Sequence, residues 1–244
     1  MNRYELSYTI FGEHALLVEW PLKIDTAILK AVLSFKSAVE SHFSNMNIQV
    51  TSAYNSLLVN DLSGSLNIEF LKQDIKALYV SNGSNELKDN RLWKIPVCYH
   101  AEFGLDLELI ATQNKLSVNE IIKLHTCAIY TVYLIGFLPG FLYLGGLDKR
   151  LYIARKSTPR LQVPKGAVAI GGEQTGVYPT ASPGGWNIIG NSPINFFDIK
   201  QEKPCFAKAG DAIQFYSISL ERYRDIRVLV DANVYQLESE VIRD

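Results

Sequence analysis

The sequence has little cysteine, little methionine, no block of like charge and no uninterrupted apolar run. Its three cysteines, Cys98, Cys127 and Cys205, stand far apart and form no CxxC pair. Such a set supports neither a disulfide framework nor a zinc site, so no metal is expected, and buried free thiols in a reducing cytoplasm are. The net charge is −1, without a cluster of Lys and Arg that would mark nucleic acid or an anionic membrane as the main partner. Residues 128–146 are strongly apolar, but Gly136, Pro139, Gly140, Gly145 and Gly146 break them. A spanning helix needs roughly 20 uninterrupted apolar residues, so a strand followed by a loop is expected here. Met1-Asn2-Arg3-Tyr4-Glu5 does not read as a leader peptide. No GxxxxGKS/T loop, GxGxxG turn, GxSxG elbow or HExxH helix occurs. The chain therefore carries no self-sufficient nucleotide or hydrolase motif.

What is present is an ordinary globular composition, 48% apolar and 20% charged over 244 residues, enough for one large domain or two modest ones. Tyr4, Leu6, Tyr8 and Ile10 alternate with polar residues as in a half-buried strand, and His14 to Trp20 reads as its hairpin partner. Ile28, Val32, Phe35, Val39 and Phe43 follow at helical spacing behind a possible Asp25 cap. Ile48–Ala53 and Leu57–Asp61 read as two more strands, and Ile68, Leu71, Ile75 and Leu78 as a second helix. The order is ββαββα, an α+β unit. A polar stretch from Ser81 to Asn90 is the best linker candidate, which sets domains at 1–88 and 89–244. Leu92–Tyr99 then reads as a strand, Leu105–Gln113 as a short helix, and Ser117-Val118-Asn119-Glu120 as a capping box opening a helix to about Thr126. After the β-rich run Ala128–Ile135, strand candidates are Gly166–Gly171, Ile188–Ile189, Phe196–Ile199, Ala212–Ser219 and Tyr223–Val230. Many short strands separated by turns indicate a barrel or a sandwich.

Residues 136–190 concentrate Gly and Pro among aromatics, a composition suited to a rigid, loop-built cleft. Five cations, Arg150, Arg155, Lys156, Arg160 and Lys165, lie beside it, either as a site for carboxylate or phosphate oxygens or as a solvated basic face. Gln174, Thr175, Tyr178 and Trp186 could hold a small polar ligand against an aromatic wall, or serve turns and core. His100, Glu102 and Asp106 share one turn-rich stretch. The acids could do acid/base work or hold a cation, or cap the helix that starts there. His125, near a helix end, could be a general base or a histidine satisfied by local carbonyls.

These segments together resemble the 5-oxoprolinase B-subunit family, also called allophanate hydrolase subunit 1, which includes the sporulation kinase inhibitor KipI. The resemblance rests on Pro96-Val97-Cys98-Tyr99, Glu102-Phe103-Gly104 with Asp106-Leu107, Leu124-His125-Thr126 and Tyr133-Leu134-Ile135-Gly136-Phe137 with Pro139-Gly140-Phe141. It continues through Thr158-Pro159-Arg160, Val163-Pro164 with Gly166, Gln174-Thr175-Gly176 with Tyr178-Pro179, Ser182-Pro183-Gly184-Gly185-Trp186 and Gly210-Asp211. It implies a cyclophilin-like β-barrel after the α+β domain. It also implies heteromeric partners: the homologous C subunit of the enzyme, which pairs with the barrel, and its lactam-opening A subunit. It implies ATP-dependent opening of 5-oxoproline to L-glutamate, with ATP and Mg bound only in the complex and no biotin. The alternatives within the family are inhibition of a sensor histidine kinase and a carboxyltransferase subunit of a urea carboxylase-type enzyme. On the implied activity, Arg155 and Arg160 would contact an anion, with Gln174, Tyr178 and Trp186 orienting the substrate. His125 with Glu102 or Asp106 would form the catalytic group. Where the family usually reads Gly-Arg-Thr-Pro, this chain has Gly190-Asn191-Ser192-Pro193, so an expected cation is absent. Lys165 and Glu173 stand where small or neutral residues are expected, and a salt bridge between them would accommodate both.

Overall fold

A computed structural model describes residues 4–81 and 90–242. The chain divides into two compact units, Met1–Lys88 and Asp89–Asp244. Most of the expected linker lies outside the described residues.

In the first unit, β1 (Ser7–Phe11) and β2 (Ala15–Glu19) form a hairpin that turns at Gly12, where φ is +67°. Helix α1 (Thr26–His42) starts at Asp25, whose carboxylate accepts the Ala27 amide at 2.8 Å. β3 (Ile48–Ala53), β4 (Ser56–Asp61) and α2 (Ile68–Ser81) follow. The sheet order is β1-β2-β4-β3, antiparallel throughout. Period-two patterning turns Leu16, Val18, Leu57 and Val59 inward, and helical spacing presents Val32, Phe35, Val39, Leu71 and Ile75 to them in one core. Trp20 packs edge-on against Phe35 and Tyr79 at its margin.

The second unit holds β5 (Arg91–Val97), α3 (Leu107–Asn114), α4 (Val118–Cys127), β6 (Ile129–Ile135) and β7 (Leu142–Gly145). After a 3-10 turn at Lys149–Leu151 come β8 (Arg160–Val163), β9 (Ala167–Gly171), β10 (Gln174–Val177), β11 (Ser182–Gly184) and β12 (Asn187–Asn191). β13 (Ala212–Ser217), α5 (Leu220–Asp231) and β14 (Ser239–Val241) complete it. Eight strands pair in the order β12-β9-β10-β7-β6-β13-β5-β14, and β8 and β11 form a separate ribbon. Only β13 and β5 run parallel among the described pairings of this sheet. The sheet closes on itself: Cys98, just past β5, bridges Asn191 at the end of β12 through two backbone bonds of 2.9 and 3.0 Å. That closure satisfies backbone groups of the edge strand β12.

Two expectations are corrected. Tyr223–Val230 is not a strand but lies inside α5, because Ser219 caps the segment by accepting the Arg222 amide and Ile226 and Val230 are buried one helical turn apart. The β-branched run there lost to the cap and to i,i+4 spacing. Phe196–Ile199 forms no strand, although Phe196 is buried in the core. The capping box of α4 forms in both directions: the Glu120 amide donates to Ser117 Oγ at 3.2 Å and the Ser117 amide to the Glu120 carboxylate at 2.8 Å. Ser117→Ala is expected to cost about 1 kcal/mol, a melting temperature about 2–4 °C lower in a thermal melt.

Candidate functional site

The Gly/Pro/aromatic stretch folds into a small core of its own, with Phe141, Val163, Tyr178, Trp186 and Ile188 buried together. Phe141 meets Tyr178 and Trp186 edge-on, at centroid distances of 5.0 and 5.5 Å, and Tyr143 meets Trp186 at 5.8 Å. Glycine permits this packing. A Cβ on Gly171 would sit 2.6 Å from the Trp186 ring, and one on Gly184 would collide with Tyr178. Tyr178 and Trp186 keep only 2% and 5% of their surface exposed, so they support the site from beneath rather than line an open wall. Burial pushes the Tyr178 hydroxyl up, so it stays protonated.

Above this cluster the loop 154–160 is pinned to the end of the Gly-rich segment. Lys156 N–H donates to the Gly185 carbonyl at 2.7 Å, and Asn187 Nδ2 donates to the Ala154 carbonyl at 3.0 Å. The loop presents three cations. Arg155 is exposed and lies over the Trp186 ring at 5.5 Å. Lys156 and Arg160 converge on one carboxylate: Lys156 Nζ and Arg160 Nη2 each stand 2.8 Å from Asp106 Oδ1. Ile188 N–H donates to Asp106 Oδ2 at 2.7 Å. In return Asp106 N–H donates to the Ile188 carbonyl at 2.8 Å. Burial alone would push the Asp106 carboxyl up, but the bonds from Arg160, Lys156 and the Ile188 amide outweigh it and hold the group below the ordinary carboxylate value. Asp106 occupies the N-cap position of α3 but makes no side-chain capping bond. It is an ion-pair centre and not the helix cap considered from sequence, nor a free acid.

His125 is corrected as well. It is fully buried and bonded at both ring nitrogens: Nδ1 lies 2.7 Å from Tyr99 Oη and Nε2 2.9 Å from Thr175 Oγ1. Thr175 spends its only proton on the Ala169 carbonyl at 3.1 Å, so it must accept from His125 Nε2–H, and Nδ1 must accept from Tyr99. The proton order is fixed along the whole chain of groups. Burial drives the imidazole pKa down to about 3. With no free nitrogen and no exposed surface, His125 cannot serve as an acid/base group toward a ligand in this fold. Glu102, the third expected catalytic residue, is exposed, and no hydrogen bond or ion pair among the described contacts joins it to His125 or Asp106.

Gln174 is buried at the start of β10, with 8% of its surface exposed. Lys165 donates to Asn195 Oδ1 at 2.7 Å rather than pairing with Glu173. Asn191, where a cation was expected, is buried and structural: its Nδ2 donates to the Lys165 carbonyl and its Oδ1 accepts from Tyr223 Oη, both at 2.9 Å. Sequence reasoning passed over Lys156 as one cation among five, and it gave Asp211 no role beyond its place in the Gly210-Asp211 segment. The buried Asp211 carboxylate accepts from the Arg91 and Lys208 amides and from Trp93 Nε1, which fixes the start of β5. Of the free thiols, Cys98 is buried but Cys127 is exposed, contrary to expectation. Asp106 pairs with two of the three cations of the basic loop. Among the described residues no group of three or more His, Cys, Asp or Glu could hold a metal ion. No helix among them is long and apolar enough to cross a membrane.

A closed mixed sheet joined to an α+β unit, with a basic loop on a glycine-packed aromatic cluster, places the chain in the class of carboxyltransferase-type domains. The family described as Carboxyltransferase domain, subdomain C and D, matches residues 6–207. The 5-oxoprolinase B subunit of Bacillus subtilis is 35% identical over 231 residues, which cover 91% of this chain and 95% of that protein. The chain belongs to the 5-oxoprolinase B-subunit family. Among solved structures, TTHA0988 is similar at 29% identity with a TM-score of 0.74, over 84% of this chain and 40% of that one. The Kluyveromyces lactis urea carboxylase is similar in fold, with a TM-score of 0.80 at 20% identity, and this chain spans 24% of it.

Proposed function

We propose that this chain is one subunit of an ATP-dependent 5-oxoprolinase, which opens 5-oxoproline to L-glutamate in the cytoplasm together with the homologous C subunit of the enzyme and its lactam-opening A subunit. In this reading the second unit is a cyclophilin-like barrel. The observation that supports the reading most is the exposed Arg155, set on Trp186 beside the Asp106–Lys156–Arg160 centre. It stands in a chain that matches a 5-oxoprolinase B subunit over nearly its whole length. A lactam carbonyl is unreactive, and ATP, when bound in the complex, supplies the activation that the amide lacks. In this reading the nucleotide and its Mg are bound only in the assembled complex. The role of this chain is then to hold the carboxylate of the lactam. Arg155 and Arg160 offer forked N–H donors that match a carboxylate, while Tyr178 and Trp186 keep the loop from shifting.

The test is glutamate release from 5-oxoproline by the chain assembled with its cognate partners. Release that requires ATP and is indifferent to avidin is expected. Arg155→Ala is expected to raise KM for 5-oxoproline on the order of tenfold, the worth of one charge-assisted contact. An intact complex that releases no glutamate with ATP present refutes the function.

A further inference from the structure

Asp106 carries a role beyond any acid/base assignment. Its carboxylate and its own amide tie together the start of α3, the start of β12, the loop at Lys156 and the first residue of β8. Lys156 and Arg160 both approach the same oxygen, Oδ1, while Oδ2 is spent on Ile188 N–H. The two cations keep 22% and 27% of their side chains exposed, whereas Asp106 keeps 5%. A buried anion thus holds two partly exposed cations by one side each, next to Arg155 in the loop, and Arg160 Nη1 is left buried with no hydrogen-bond partner among the described residues. From this geometry we propose that Asp106 is a positioning residue for the lactam-binding site. It orders Lys156 and Arg160, and these two cations, not Asp106, meet the ligand carboxylate. Lys156 thereby becomes a ligand contact alongside Arg155 and Arg160. The inference rests on the reading of this site as the one that binds the lactam.

Two effects compete when Asp106 loses its charge. The site becomes more positive, which attracts an anion, and the cations lose their fixed geometry, which weakens a specific contact. The Coulomb gain is small because both cations are partly in water. Misplacing a binding group by about 1 Å can cost on the order of a hundredfold. The geometric loss therefore dominates.

The experiment uses the assembled complex carrying Asp106→Asn, which keeps the side-chain shape. KM for 5-oxoproline is expected to rise about tenfold or more with kcat within about threefold, and KM for ATP to stay within about twofold. A purely structural role would lower kcat and the amount of folded complex and would not single out one substrate. Lys156→Gln, which leaves the Asp106–Arg160 and Asp106–Ile188 bonds in place, is the second variant, with an expected KM rise of about threefold or more. It decides the matter if Asp106→Asn does not fold. Calorimetric binding of 5-oxoproline to the same complexes reads the effect without turnover. Variants that bind and turn over 5-oxoproline like the wild type overturn the positioning role while leaving the proposed function intact. A wild-type complex that neither binds nor converts 5-oxoproline overturns both.

Discussion

Replacing His125 by alanine is expected to destabilise the second unit by about 4 kcal/mol, from the cavity left by a buried ring and from two polar groups left unpaired. Tyr99 Oη and Thr175 Oγ1 would lose their partners inside the core, and Phe215, now stacked on the imidazole at 4.7 Å, would lose that contact. Chemical denaturation read by tryptophan fluorescence measures this. His125→Gln, able to keep one of the two bonds, should fall about halfway. The acid limb gives a separate signature. The folded pKa of about 3 lies below the ordinary 6.5, so the unfolded chain binds a proton that the folded chain does not. This group therefore leaves stability untouched above pH 6.5 and removes it as the pH falls toward 3, by about 1.4 kcal/mol per pH unit. In His125→Gln that component is absent, and its stability should depend less on pH in this window. A wild type and variant with parallel pH profiles, or an alanine variant as stable as the wild type, would contradict the buried neutral assignment.

Asp106→Ala is expected to cost about 3 kcal/mol, the lower end of the range for breaking a buried ion pair, because Lys156 and Arg160 regain some hydration through their exposed faces. The Ile188 amide loses its acceptor at the same time. The folded carboxyl titrates below its ordinary 3.8. Its contribution is thus fully present above pH 3.8 and is lost as the pH falls through the lower folded value. Below that the wild type and Asp106→Ala should converge, a loss that begins only below pH 3.8, whereas the His125 effect begins below pH 6.5. Urea midpoints measured from about pH 2 to 7 distinguish the two groups by the pH at which each loss begins. An alanine variant whose deficit is the same at every pH would mean that packing, not the ion pair, sets its cost.

Local signals were sufficient for much of the architecture. The alternation in β1 and β2, the spacing of α1 and the Ser117-Glu120 box depend on residues a few positions apart, and each forms where its pattern stands. The glycine-proline stretch read as a loop-built cleft with an aromatic wall, but its aromatics are packed into a small buried core instead. The misread helix α5 shows where local signals compete. Val228, Leu229 and Val230 favour a strand, and a single Ser219 hydroxyl with the burial of Ile226 and Val230 settles the segment as helix.

The candidate site was legible by residue type but not by role. Asp106, Lys156, Arg160 and Ile188 are separated by up to 82 positions, and nothing local says that one carboxylate serves all of them. His125 meets Thr175 across 50 positions and Tyr99 across 26, so its burial and tautomer exist only once α4, β10 and the segment after β5 are packed together. By itself the sequence determined the strands and helices that period and capping encode, the family, and the chemical inventory of the loop. Tertiary structure alone decided which charges are spent on one another and which remain free. Charge pairing and desolvation depend on distance and burial, and the chain acquires both only on folding.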